Sequence, residues 1–161
     1  MPEFLTAADG AHLRLDATEA RLLMQLTSEF KTILSGGRLD RGDPIYDRLF
    51  PSAYEKPEDE TAYRELTGDD LSKHKLEALD IVVGALDKKG ADVTLEGEDF
   101  DAWLQILTDL RLAIGTSLDV DEERMGAEVD PHDADAPALQ ILHWLGWVQE
   151  GLIEARGNLL P

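Results

Sequence analysis

The 161-residue chain reads as one mainly α domain, a bundle of five or six helices carrying a small antiparallel β element. Three observations predict this. Apolar residues recur every three or four positions over long stretches, the period of a helix with one buried face. Two short segments alternate apolar and polar residues instead, as half-buried strands do. Acidic residues stand ahead of several helical stretches and glycines follow some of them, where helix ends place them.

The elements follow in order. "EFLTAADGAHLRLD" predicts a hairpin with Asp9-Gly10 as its two-residue turn. Asp16 then caps a helix to about Ser35, with Glu19 completing a capping box and Gly36-Gly37 stopping it. Its apolar face is Leu22, Leu23, Leu26, Phe30, Ile33 and Leu34. A Pro- and Gly-punctuated connection holds a short helix over about Pro44 to Phe50, and a brief helix spans about Glu58 to Leu66. Thr67-Gly-Asp-Asp70 caps a helix from about Asp69 to Lys88, ended by Lys88-Lys89-Gly90.

"ADVTLEG" predicts a strand near 92–96, leading into a helix from about Glu98 to Leu118. Residues 119–136 read as an acidic loop. The last helix, about Ala136 to Arg156, is apolar around most of its circumference and so belongs at the centre of the bundle. "LRLDATEARLLMQL" and "VTLEGEDFDAWLQI" echo each other as strand, acidic cap and helix, aligning Leu15 with Leu95 and Leu23 with Trp103. Two such units would put their strands in one small sheet.

A net charge of −19 sets the terms for any partner. Such a surface repels phosphate backbones, which argues against direct nucleic-acid binding; the charge serves solubility or, in a sharper reading, a protein partner with a basic surface. The chain has no cysteine, so disulfides, thiolate metal sites and thiol redox chemistry are excluded. No apolar run reaches the ~20 residues of a membrane span, and "MPEFLTAADG" does not read as a secretory signal. The expected location is the cytoplasm.

Three helices each carry a charge within the apolar stripe. Arg111 falls among Phe100, Trp103, Leu104, Leu107, Leu110, Ile114 and Leu118; Lys75 lies among Leu71, Ala78, Leu79, Val82 and Leu86; Glu19 shares a face with Leu22, Leu23 and Leu26. A buried unpaired charge costs several kcal/mol, on the order of 3–5, so each needs a partner or a path to water. Asp109 sits two positions from Arg111, too close in sequence to face it on a helix. Arg111 should reach an acid, with Glu19 and Glu150 as candidates, or a set of carbonyls on another element, as a structural ion pair or hydrogen-bond anchor. The alternative is a small-molecule or anion site centred on Arg111 and Lys75.

The four histidines form no ligand set, and "DPHDAD" reads as a solvated loop, so no metal or other cofactor is expected. "DVDEERMGAEVD" fails as a calcium loop because Arg124 stands where that loop needs glycine. No nucleophile elbow or phosphate-binding glycine loop occurs, and no enzymatic activity is expected. Gly84 and Gly115 read as close-packing points in helices. Trp147 and Leu139, off the main stripe of the last helix, are candidates for a partner surface, including one that joins two copies of the chain; the alternative is that a second layer of the same domain covers them.

The phrases "RLFPSAYEKPEDETAYRELTGDDLSKHKL", "AWLQILTDLRLAIGTSLDVDEE" and "LHWLGWVQEGLIEA" resemble the actinobacterial AosR-type family of oxidation-sensing regulators, formerly only a domain of unknown function. The likeness extends over most of the chain. It implies a cytoplasmic helical regulator that acts on transcription through a sigma factor under oxidative stress, without catalysing a reaction. Regulatory members of that family sense oxidation through a close cysteine pair. This chain has none, so that switch transfers to no residue here.

Overall fold

The structure is a computed structural model and describes residues 2–7, 10–35, 73–117 and 135–157. In chain order the elements are β1 (Glu3–Thr6), β2 (Gly10–Leu15), α1 (Ala17–Ser35), α2 (residues 73–84), β3 (Ala91–Glu96), α3 (Gly97–Ser117) and α4 (Ala136–Gly157). The architecture is mainly helical with one antiparallel sheet of order β1-β2-β3. Four helices lie among the described residues, fewer than the five or six expected. The short helices predicted near 44–50 and 58–66, and the acidic segment 119–134, lie outside the described residues. α4 starts at Ala136, where the last helix is expected to begin.

Alternation in β2 sorts its side chains. Ala11, Leu13 and Leu15 are buried, paired with Leu95, Val93 and Ala91 of β3, while Arg14 is exposed on the opposite face. The echoing units therefore do meet through their strands, as antiparallel neighbours in one sheet. The hairpin turn is shifted by one residue from the sequence expectation. Thr6 pairs with Ala11, and the Ala7 N–H donates to the Gly10 carbonyl at 3.2 Å, so Gly10 belongs to the ladder and not to the turn. Its glycine serves β3: a Cβ there would sit 1.9 Å from the Leu95 carbonyl oxygen.

The capping box forms as predicted. The Glu19 N–H donates to Asp16 Oδ1 at 2.8 Å, and the Asp16 N–H donates to Glu19 Oε1 at 3.1 Å. The buried row of α1 is Ala20, Leu23, Thr27 and Phe30. Thr27 closes its hydroxyl onto the Leu23 carbonyl of its own helix at 2.8 Å, so burial leaves it satisfied.

α2 stops at residue 84, short of Lys88. Asp87 and Gly90 exchange two backbone hydrogen bonds at 3.0 Å, and Asp87 Oδ1 accepts the Lys89 N–H at 3.1 Å. This tight turn feeds β3 and offers the backbone an alternative to another helical turn.

α3 and α4 run antiparallel. Asp101 near the start of α3 meets Arg156 near the end of α4 at 3.6 Å, and Thr108 and Arg111 both meet Gln149. α4 also underlies β1 and β2: the Phe4 ring lies where a Gly151 Cβ would come within 2.3 Å, and Thr6 Oγ1 donates to the Ala155 carbonyl at 2.9 Å. Trp103, Phe30, Phe100, Leu13, Leu95, Leu145 and Leu152 fill the core between the layers. Among the described residues no helix is long and apolar enough to cross a membrane.

Candidate functional site

α3 has a wider inner face than its largest apolar residues indicate. Ala102, Ile106 and Ala113 are buried together with Phe100, Trp103, Leu107 and Leu110, which turns the centre of the buried arc away from Arg111. The charge within that arc is Asp109, buried on the flank of α3 that faces α2. Lys75 reaches it from α2, with Nζ at 3.0 and 3.1 Å from its two carboxylate oxygens. Gln105, one turn earlier on α3, donates from Nε2 to Asp109 Oδ1 at 3.0 Å. Lys75 is thus a charge in an apolar row, as its sequence position indicates. Its acid is the residue set aside as a partner for Arg111.

Arg111 occupies the other flank of α3, against α4. Its Nη1 donates to Gln149 Oε1 at 2.8 Å. Gln149 Nε2 in turn donates to Thr108 Oγ1 at 2.6 Å and to the Leu104 carbonyl at 3.4 Å, which fixes the amide so that its oxygen faces the guanidinium. Among the described residues Arg111 pairs with neither Glu19 nor Glu150; it is anchored instead by a hydrogen bond to the amide carbonyl oxygen of Gln149 on another helix, the alternative to an ion pair. Lys75 and Arg111 engage different helices on opposite flanks of α3, so the structure does not gather them into one site.

Glu19 is half-buried and works at a helix junction. Besides its capping bond, its Oε2 accepts the Trp144 indole N–H at 3.3 Å, tying α4 to the start of α1. Asp16 is exposed, and the backbone N–H of Glu19 holds its carboxyl below the usual carboxylate range. On the outer face of the sheet, His12 contacts the Asp92 carboxylate through Nε2 and Thr94 Oγ1 through Nδ1 at 2.8 Å. Arg14 bridges Glu3 and Asp92 beside them at 3.4 and 3.6 Å. These exposed pairs stitch the three strands with little energy each. Among the described residues no three His, Asp or Glu side chains gather as a metal-binding group.

The two partner-surface candidates separate. Trp147 is 43% exposed, whereas Leu139 is only 5% exposed and belongs to the buried set of α4. Leu139 is corrected accordingly: an apolar residue off the main stripe of α4 is still covered, because the buried positions of this helix occupy more than one face. A Cβ at Gly84 or Gly115 meets nothing within 4 Å among the described residues.

Sequence reasoning passed over Asp109, Gln149 and Thr108. A signal for Asp109 was present, since Ile106 and Ala113, its neighbours one turn away on either side, are both apolar. Nothing local marks Gln149.

Fold and contacts together define a helical domain whose polar groups join helix to helix and which, among the described residues, leaves the Trp147 ring exposed. The chain belongs to the DUF2017 family, described as a domain of unknown function, whose profile matches residues 1–156. Neither the curated proteins nor the solved structures give a match.

Proposed function

We propose that this protein is a non-enzymatic interaction module, a cytoplasmic stress-response or transcription regulator that binds a protein partner with a basic surface and does not bind DNA directly. The observation that carries the reading is the outer stripe of α4. Trp147 is partly open to solvent, and Glu150 and Glu154 follow it at i+3 and i+7 on the same face, both exposed. Among the described residues neither carboxylate is held in an ion pair. An indole beside two unengaged carboxylates suits an Arg or Lys side chain, which gains from the ring face and from the acids together. The net charge of −19 steers such a partner over a longer range.

The likeness to AosR-type regulators makes a sigma factor the first partner to test. With no cysteine in the chain, the signal it answers differs from a thiol switch. Purified sigma factors and core RNA polymerase from the same cell are the probes, presented to the wild type and to Trp147→Ala. Binding that weakens with added salt and is lost in Trp147→Ala supports the reading. Absence of binding to every probe, or binding indifferent to Trp147, overturns it. Sedimentation of the wild type and Trp147→Glu tests the remaining occupant, a second copy of the chain.

A further inference from the structure

Arg111 has a feature that partner binding at Trp147 leaves unexplained. Its guanidinium lies flat against α4 at Gly146, where a Cβ would find Cζ, Nε and Nη2 each at 3.5 Å. Nη1 is taken by Gln149. Nε is buried and has no acceptor among the described residues. Nor does a carboxylate pair with this guanidinium there, in a chain where 34 acidic residues face 15 Lys and Arg. Nε and Nη2 form one straight edge of the guanidinium, the fork that grips two oxygens of one anion side by side. One helical turn before Gly146, His143 carries a second buried nitrogen, Nε2, without a partner among the described residues.

We propose that the Nε–Nη2 edge of Arg111 and the His143 ring form a binding site for a small oxyanion, a phosphate or a carboxylate, at the α3–α4 interface. The fork supplies two parallel N–H donors, and His143 supplies a third whenever Nε2 carries its proton. A Cβ at Gly146 would rest on the guanidinium at ordinary contact distance, so the glycine leaves that face of Arg111 uncovered by a side chain of its own. Gln149, itself anchored on Thr108, is the positioning residue: it occupies Nη1 and so turns the other edge away from α4's amide. Lys75 takes no part, since Asp109 holds it on the other flank. Glu150, one turn beyond Gly146 on α4, acts against an anion by charge repulsion.

The test follows the arginine Nε–H resonances of the full wild-type chain in NMR spectra. Inorganic phosphate and, separately, acetate are titrated in at an ionic strength held constant with chloride. The Arg111 resonance, assigned through the backbone, shifts and saturates with one of the anions. Phosphate alone marks a phosphorylated ligand, acetate alone a carboxylate, and saturation by both marks an oxyanion site without selectivity between them. Affinity falls about tenfold in His143→Ala, equivalent to ~1.4 kcal/mol, and rises in Glu150→Gln. A resonance that moves with neither anion, or only in proportion to concentration, overturns the proposal. So does an affinity unchanged in His143→Ala. The wild-type titration needs no variant at Arg111, so a folding defect there cannot obscure the result.

Discussion

Lys75 and Asp109 meet across the α2–α3 interface with both carboxylate oxygens within 3.1 Å of the ammonium, at side-chain exposures of 11% and 3%. Water is largely excluded from this pair, so its two members depend on each other. Desolvating two ions offsets most of their mutual attraction, but stranding one of them leaves the desolvation uncompensated. Lys75→Met is therefore expected to cost about 3–5 kcal/mol, leaving Asp109, among the described residues, with the hydrogen bond from Gln105 at 3.0 Å. The double variant Lys75→Met/Asp109→Leu is expected to recover most of that loss. Urea denaturation of the three proteins checks it, and a double variant no more stable than Lys75→Met contradicts it.

Acid acts on the α1 cap through Asp16. The Glu19 N–H favours the ionised carboxylate, so the folded-state pKa lies below the unfolded one. The stabilisation is then fully present above the unfolded value and is lost as pH falls through the folded one. Asp16→Asn keeps an oxygen for the N–H but cannot titrate. The expected outcome is a steeper loss of stability in the wild type than in Asp16→Asn below the normal carboxylate range. Parallel curves of unfolding free energy against pH would rule this out.

What was legible in the sequence tracks how local the cause is. Asp16 and Glu19 satisfy each other's backbone within three residues, and their capping box forms as read. The strand near 92–96 follows from its local pattern, and its place in one sheet with the first unit's strand from the echo between the two strand–helix units. The largest apolar residues of α3 alone put Arg111 at mid-stripe; Ala102, Ile106 and Ala113 widen the buried arc on its far side. With those three included, the buried charge is Asp109. Which cation would reach it depends on how α2 packs on α3, and no spacing within either helix encodes that. Gln149 belongs to the same class, a residue given its role by the antiparallel docking of α3 and α4.

Two glycines in β-structure and one at a helix end should respond in opposite senses. Gly90 has φ +132°, and a Cβ on it would stand 2.5 Å from the Leu15 carbonyl oxygen. Gly10 is closer still to Leu95. Alanine at either forces strands apart and is expected to destabilise by about 1–3 kcal/mol, as overpacking does. Gly84, exposed at the end of α2, meets nothing within 4 Å among the described residues. Alanine there removes backbone freedom from the unfolded chain and is expected to stabilise by about 0.4–1 kcal/mol. Thermal melts of the three variants test the signs.

Trp144 and Trp147 stand three residues apart on α4 and should divide stability from recognition. Trp144 packs against the core, and its indole N–H reaches Glu19 on α1. Trp144→Phe keeps an aromatic ring but removes the donor, so a loss of about 1 kcal/mol is expected for one hydrogen bond. A double-mutant cycle with Glu19→Ala isolates that link from the capping bond, because the indole contributes only where Glu19 is present to accept. Trp147 projects into solvent, and Trp147→Ala should leave stability within about 0.5 kcal/mol of the wild type. The same substitution should abolish binding to a basic partner, since it removes the ring between which and Glu150 and Glu154 a cation would be held. Loss of both stability and binding in Trp147→Ala would make this residue part of the scaffold, and the outer stripe of α4 would then lose its claim to be the docking surface.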